Sequence, residues 1–213
     1  LTNPSPIQVT MYIKEKHTSV TSLLVYKISY LIFLVIYTLA TIYFSVQMDK
    51  STSENSLIEM TQIAFVLFSS LMCLYKSKEY LELKHILVIM SSFFMVIFVR
   101  EMDYHIEQYF SHGSWKYPAW IIIVSVCYFC FNNIVNIKNE VKFFISHSSF
   151  TTLTIGFFIV FLFSRFAGYG DFWVEFMGNS YNRDVKNLVE ESLELLGYAI
   201  LLNGVLLIKV ENH

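Results

Sequence analysis

Six stretches of this chain stay apolar for longer than the core of a water-soluble domain requires. They cover residues 28–46, 57–75, 86–104, 118–137, 150–168 and 187–208. The hydrocarbon layer of a bilayer is about 30 Å thick, and roughly 20 apolar residues of α-helix cross it. Lipid offers no partner to backbone N–H and C=O groups, so a crossing segment is either a helix or part of a closed barrel. The runs are continuous and do not alternate in polarity, which excludes a transmembrane β-barrel. The sequence thus predicts an all-α fold, a polytopic bundle of six membrane-spanning helices over residues 28–208. Residues 1–27 form an N-terminal cytoplasmic segment, and residues 209–213 a cytoplasmic tail. Residues 1–10 are polar and precede Met11. They read as non-native or upstream of the native start, and the first span then acts as an uncleaved insertion signal.

Charge distribution sets the expected orientation. With the N-terminus inside, the cytoplasmic side holds Lys14, Lys16, Lys27, Lys76, Lys78, Lys84, Lys138, Lys142 and Lys209. The other side holds Lys50, Arg100, Lys116, Arg165, Arg183 and Lys186. Nine against six is a positive-inside bias, and it places both termini in the cytoplasm. Trp115, Trp120, Tyr169 and Trp173 then fall at the outer interface, where amphipathic rings are favoured. The net charge of −2 leaves no basic excess to neutralise phosphates, so nucleic acid is not a direct partner. Cys73, Cys127 and Cys130 all lie in apolar runs and read as buried, reduced, structural residues.

The last span is the least expected. Its first half carries Glu190, Glu191 and Glu194, at the predicted outer end. Other charges gather at the same level. Glu59 begins the second span, Arg100, Glu101 and Asp103 end the third, and Arg165 ends the fifth. Charges inside a membrane are costly and normally face the bundle interior in pairs. Helical spacing sorts them. Glu190 and Glu194 share a face with Gly197, whereas Glu191 points with Leu195 and Tyr198. Arg100 shares a face with Asp103, and Glu101 with His105. Arg100 and Arg165 are therefore expected to pair with Glu190, Glu194 or Glu59 across helices, and Gly197 to admit a close neighbour. The carboxylates outnumber the guanidiniums. Water, protonation or a bound cation would have to balance them. The cluster reads either as an ion-pair network fixing helix packing or as a ligand or ion site.

Enzymatic chemistry has little to stand on. Ser111, Ser114 and Ser164 lie near His105 and His112, but no G-x-S-x-G or H-E-x-x-H occurs. Asp103, His105 and His112 have metal-ligand chemistry without a ligand spacing. No cofactor motif is present. Asn132, Asn133 and Asn136 suggest capping or helix-to-helix hydrogen bonds, and His17, His85 and His147 solvated edges.

The combination R-E-x-D at 100–103, H-G-S-W-K at 112–116, F-S-R at 163–165 and E-E-x-x-E-L-x-G-Y at 190–198 resembles a pattern in uncharacterised bacterial inner-membrane proteins. That resemblance spans the third to sixth segments and implies a shared fold without an activity. In size and composition the chain is similar to membrane subunits of bacterial antiphage systems such as Kiwa. The expectation is a non-enzymatic inner-membrane sensor or scaffold, homo-oligomeric in the bilayer and coupled to a cytosolic protein partner in antiviral defence. A cation- or proton-coupled transporter using the outer carboxylates is the second reading. A membrane enzyme acting on lipid at the outer leaflet is the third.

Overall fold

The computed structural model describes residues 6–47 and 56–209, with side chains from Val25 onward except Tyr26 and Lys27. Lys50, the tail beyond Lys209 and the side chains of Lys14, Lys16, His17 and Lys27 lie outside the described residues. The described residues contain helices and no strand. The chain divides into two compact units, residues 1–39 and 40–213. The first unit is the leading part of α1 (Pro6–Gln47). Within it Ile32, Phe33, Ile36 and Leu39 are exposed, as expected of a helix surface solvated by lipid.

The second unit holds the remaining helices: α2 (Leu57–Glu79), α3 (Lys84–Glu101), α4 (Asp103–Glu107), α5 (Lys116–Asn132), α6 (Ile134–Ile145), α7 (Ser148–Phe158), α8 (Ser164–Ala167), α9 (Gly170–Met177) and α10 (Arg183–Leu206). A 3₁₀ turn, Leu81–Leu83, joins α2 to α3, and a π-helical segment, Ile159–Phe163, joins α7 to α8. Four helical stretches are long and apolar enough to cross a membrane: Ile28–Gln47, Leu57–Glu79, Leu81–Glu101 and Ser148–Ala167. The α5–α6 pair makes a fifth if it counts as one span.

The six expected segments thus differ in kind. The fourth, residues 118–137, is broken. Asn133 ends α5, its amide Nδ2 donating to the carbonyl of Phe129 at 2.9 Å, and α6 leaves at 95°. The 17 residues of α5 give about 25 Å of helix, short of a full crossing. The sixth, α10, is a single helix. The charges of its first half interrupt its apolar run, yet its second half is the most enclosed part of the unit. Leu195, Tyr198, Ala199 and Val205 are all within 2% of complete burial.

Small residues explain how α10 is enclosed. Gly156 of α7 lies against Leu201 and the Gly197 carbonyl, and a Cβ there would meet Leu201 Cγ at 2.8 Å. Gly204 faces Leu153, where a Cβ would come within 2.7 Å. A Cβ on Gly197 would collide with Val160. These are close backbone approaches of the kind that small residues permit between membrane helices. On the other side, α2 and α3 are stitched by Ser70 and Ser91. Each hydroxyl bonds the other's carbonyl at 3.0 Å.

Two sequence expectations need correction at the end of the unit where α2 finishes, and Lys76, counted only among the cytoplasmic-side charges, is buried there. It is 6% exposed, and its Nζ donates to the carbonyls of Val205, Leu206 and Ile208 at 2.9, 2.9 and 2.5 Å. Its ammonium meets the last carbonyls and the partial negative charge at the C-terminus of α10. His85 is not solvated either. Its Nδ1 lies 2.5 Å from Glu140 Oε1, its ring stacks on Phe129, and Glu140 Oε2 accepts the Ile86 N–H at 2.8 Å. The cysteines divide: Cys73 is fully buried, whereas Cys127 is exposed and Cys130 only partly covered.

Candidate functional site

At the opposite end, the polar residues of α10 reach in two directions, as its helical period requires. Glu194 is 3% exposed and faces α8. It pairs with Arg165 Nη2, lies 3.9 Å from Arg100 Nη2, and is 3.4 Å from the Ser164 hydroxyl. Glu190, one turn earlier, takes Arg165 Nη1 at 3.4 Å and Lys186 Nζ at 3.1 Å. Around the helix, Glu191 accepts from Gln62 Nε2 at 3.0 Å, which joins α10 to α2. Tyr198, on the same side, donates its hydroxyl to Glu101 Oε1 at 2.7 Å, and Glu101 also takes Arg100 Nη2 at 3.0 Å.

The π-helical segment sets the position of Arg165. At Ser164 the backbone N–H bonds back to Ile159, five residues earlier. The Ser164 hydroxyl donates to the Val160 carbonyl, so this wider turn is satisfied from within. Such single wide turns recur at functional sites in helices. Here the turn packs Val160 and Ile159 against Gly197 and delivers Ser164 and Arg165 to Glu194.

Not every sequence candidate joins. Asp103 accepts the backbone N–H of Tyr104 at 2.6 Å and begins α4. The spacing that put Arg100 and Asp103 on one face fails because α3 ends at Glu101, with Met102 at φ −88° and ψ 7°. The same break separates Glu101 from His105. Glu59 sits in the first turn of α2, where its backbone N–H is capped by Ser56 Oγ at 3.1 Å. Among the described residues, no three His, Cys, Asp or Glu side chains converge as metal ligands do.

Two neutral residues, Gln62 and Tyr198, supply hydrogen-bond donors to carboxylates that outnumber the guanidiniums. With Lys186 included, Glu101, Glu190, Glu191 and Glu194 each have a donor. The helical period put Glu191 and Tyr198 on one face, but it does not reveal that a neutral donor would answer a carboxylate.

Beside this network lies a cavity of about 560 Å³. Its walls come from α3, α5, the π-helical segment, α8 and α10. Phe93, Val96, Ile123 and Phe161 make the body apolar. Its charged lining residues are all cations: Arg100, Arg165 and Lys116. Both arginine side chains are a little under half exposed, so each meets the carboxylates through its Nη atoms while part of the side chain stays accessible. Lys116 makes no ion pair among the described residues.

The turn before α5 delivers Lys116. Gly113 has φ 81°, a left-handed conformation suited to glycine. Glu107 closes the turn, accepting the Gly113 N–H at 2.6 Å and approaching His112 Nδ1 at 2.7 Å. On the far side of the network, Trp173 of α9 donates Nε1 to the Ala167 carbonyl at 2.5 Å, tying the segment after α8 to its end.

No family model, no curated protein and no solved structure matches the chain.

Proposed function

We propose that the protein is a non-enzymatic membrane sensor whose cavity and ion-pair network compete for the same two guanidiniums. The observation that carries this reading is that Arg100 and Arg165 line the cavity and also hold Glu101, Glu190 and Glu194. An occupant that draws either guanidinium toward the cavity weakens its hold on α10. Occupancy and the fastening of α10 are then linked, and a ligand shifts the helix only by its differential affinity for the two arrangements.

In this reading α10 is the sixth crossing of a bacterial inner membrane, and both termini face the cytoplasm. The C-terminal end of α10, held by Lys76, is the output side from which a cytosolic partner would read the change. A cation-coupled transporter fits less well, because the carboxylates of α10 are engaged by Arg165, Lys186, Gln62 and Ser164.

Amide hydrogen exchange tests the proposal. The full chain is compared in its co-purified native lipids and after exhaustive exchange into synthetic phosphatidylcholine. Protection of residues 190–198 is expected to change, and Ile123→Trp, which places a bulky ring across the cavity, to remove the difference. Identical protection in both lipids would refute a sensing role.

A further inference from the structure

We infer that the cavity beside Arg100 binds a single-chain anionic amphiphile, with its acidic head among Arg100, Lys116 and Arg165 and its chain along Phe93, Ile123 and Phe161. This rests on the sensor reading above and names the class of ligand sensed.

Three features point to this class. The volume of about 560 Å³ falls within the range of roughly 300–1,000 Å³ typical of small-ligand sites, with room for one chain. The lining separates by chemistry: charged residues are cationic and the remaining walls are aliphatic or aromatic. The donors are also uncommitted in part. A guanidinium carries five N–H donors. The ion pairs use Nη2 of Arg100 and Nη1 and Nη2 of Arg165, and Lys116 adds an ammonium with no carboxylate within ion-pair distance among the described residues.

The head group must supply the selectivity. A chain that leaves the bilayer for an apolar cavity exchanges one hydrocarbon environment for another, so the hydrophobic effect contributes little net preference. Charge-assisted hydrogen bonds from guanidinium and ammonium groups to a carboxylate or phosphate supply the preference instead. An uncharged ester of the same chain lacks it. The two sources of an acidic head, a free fatty acid and a lysophospholipid with a terminal phosphate, share this chemistry and differ in charge.

Binding of tritium-labelled palmitate and of labelled lysophosphatidate to the full chain in phosphatidylcholine nanodiscs tests the assignment. At least one probe is expected to bind saturably and to be displaced by its unlabelled form but not by methyl palmitate. Palmitate alone would identify a carboxylate site, and lysophosphatidate alone a phosphate site. Lys116→Gln, which breaks no ion pair, is expected to weaken binding about tenfold while leaving the unfolding midpoint unchanged. Ile123→Trp is expected to abolish it. Absence of saturable binding by both probes, equal displacement by methyl palmitate, or an unaltered affinity in Lys116→Gln would each overturn the assignment. If the probes fail while protection of α10 still responds to native lipid, the ligand class is wrong and the sensor reading stands. If that protection does not respond, the sensor reading fails whatever the probes do.

Discussion

The two ends of α10 are held by different physics. At the Arg165 end its carboxylates meet cations on other helices, side chain to side chain, and the cations are partly accessible. At the Lys76 end one buried ammonium meets three backbone carbonyls. Carbonyls at a helix terminus cannot change rotamer or find another partner without unwinding the turn. Arginine and glutamate side chains can exchange partners at small cost. The comparison therefore separates a fixed fastening from a rearrangeable one, and it locates sensing at the second.

Removing the fixed fastening has the largest expected effect. Lys76→Met leaves three carbonyls without their ammonium in a buried setting, with a loss of about 3 kcal/mol in unfolding free energy. Reversible denaturation in mixed micelles measures it, and a change below about 1 kcal/mol would erase the distinction between the ends. Gly204→Ala and Gly197→Ala come next, at about 2 kcal/mol each, because a Cβ collides with Leu153 in one and Val160 in the other. Equal losses would show that backbone approach matters alike at both ends, so the contrast belongs to the charges alone.

The pairing of Glu194 with Arg165 is expected to contribute less, a coupling of about 1 kcal/mol in a double-mutant cycle of Glu194→Gln and Arg165→Gln. The Arg165 side chain is nearly half exposed, and solvent screens the pair. A coupling above about 3 kcal/mol would make this end as fixed as the other. Smallest is the exposed turn at Glu107. The Gly113 N–H, then His112, holds the Glu107 carboxyl below the usual carboxylate range. The turn's contribution is thus complete above the unfolded-state value and lost as pH falls through the lowered one. The protection of the Gly113 amide, its exchange rate taken relative to the intrinsic rate at each pH, should fall over that acidic window and not near neutral pH. Loss of protection near neutrality would assign the turn to His112 instead.

Much of the helical layout is written in periodicity. Apolar runs mark the long helices because a membrane imposes length, and the four-residue spacing of Glu190 and Glu194 puts both within reach of Arg165. Local breaks are less visible. Nothing in the residues around Asn133 separates an ending from an interior asparagine, because the difference depends on where α6 finds its contacts. The wide turn at Ile159–Phe163 has no residue signature, since five apolar side chains suit either winding. Lys76 was legible as a charge and not as a cap, because its partners lie some 130 positions away and are backbone atoms.

The wide turn before Ser164 has one further consequence. It inserts a residue into the angular count of the helix, so everything after it is offset by about 100° from regular winding. Deleting one residue between 159 and 163 would therefore let the helix wind regularly with Arg165 still turned toward Glu194, whereas regular winding of the intact sequence would carry Arg165 away by phase alone.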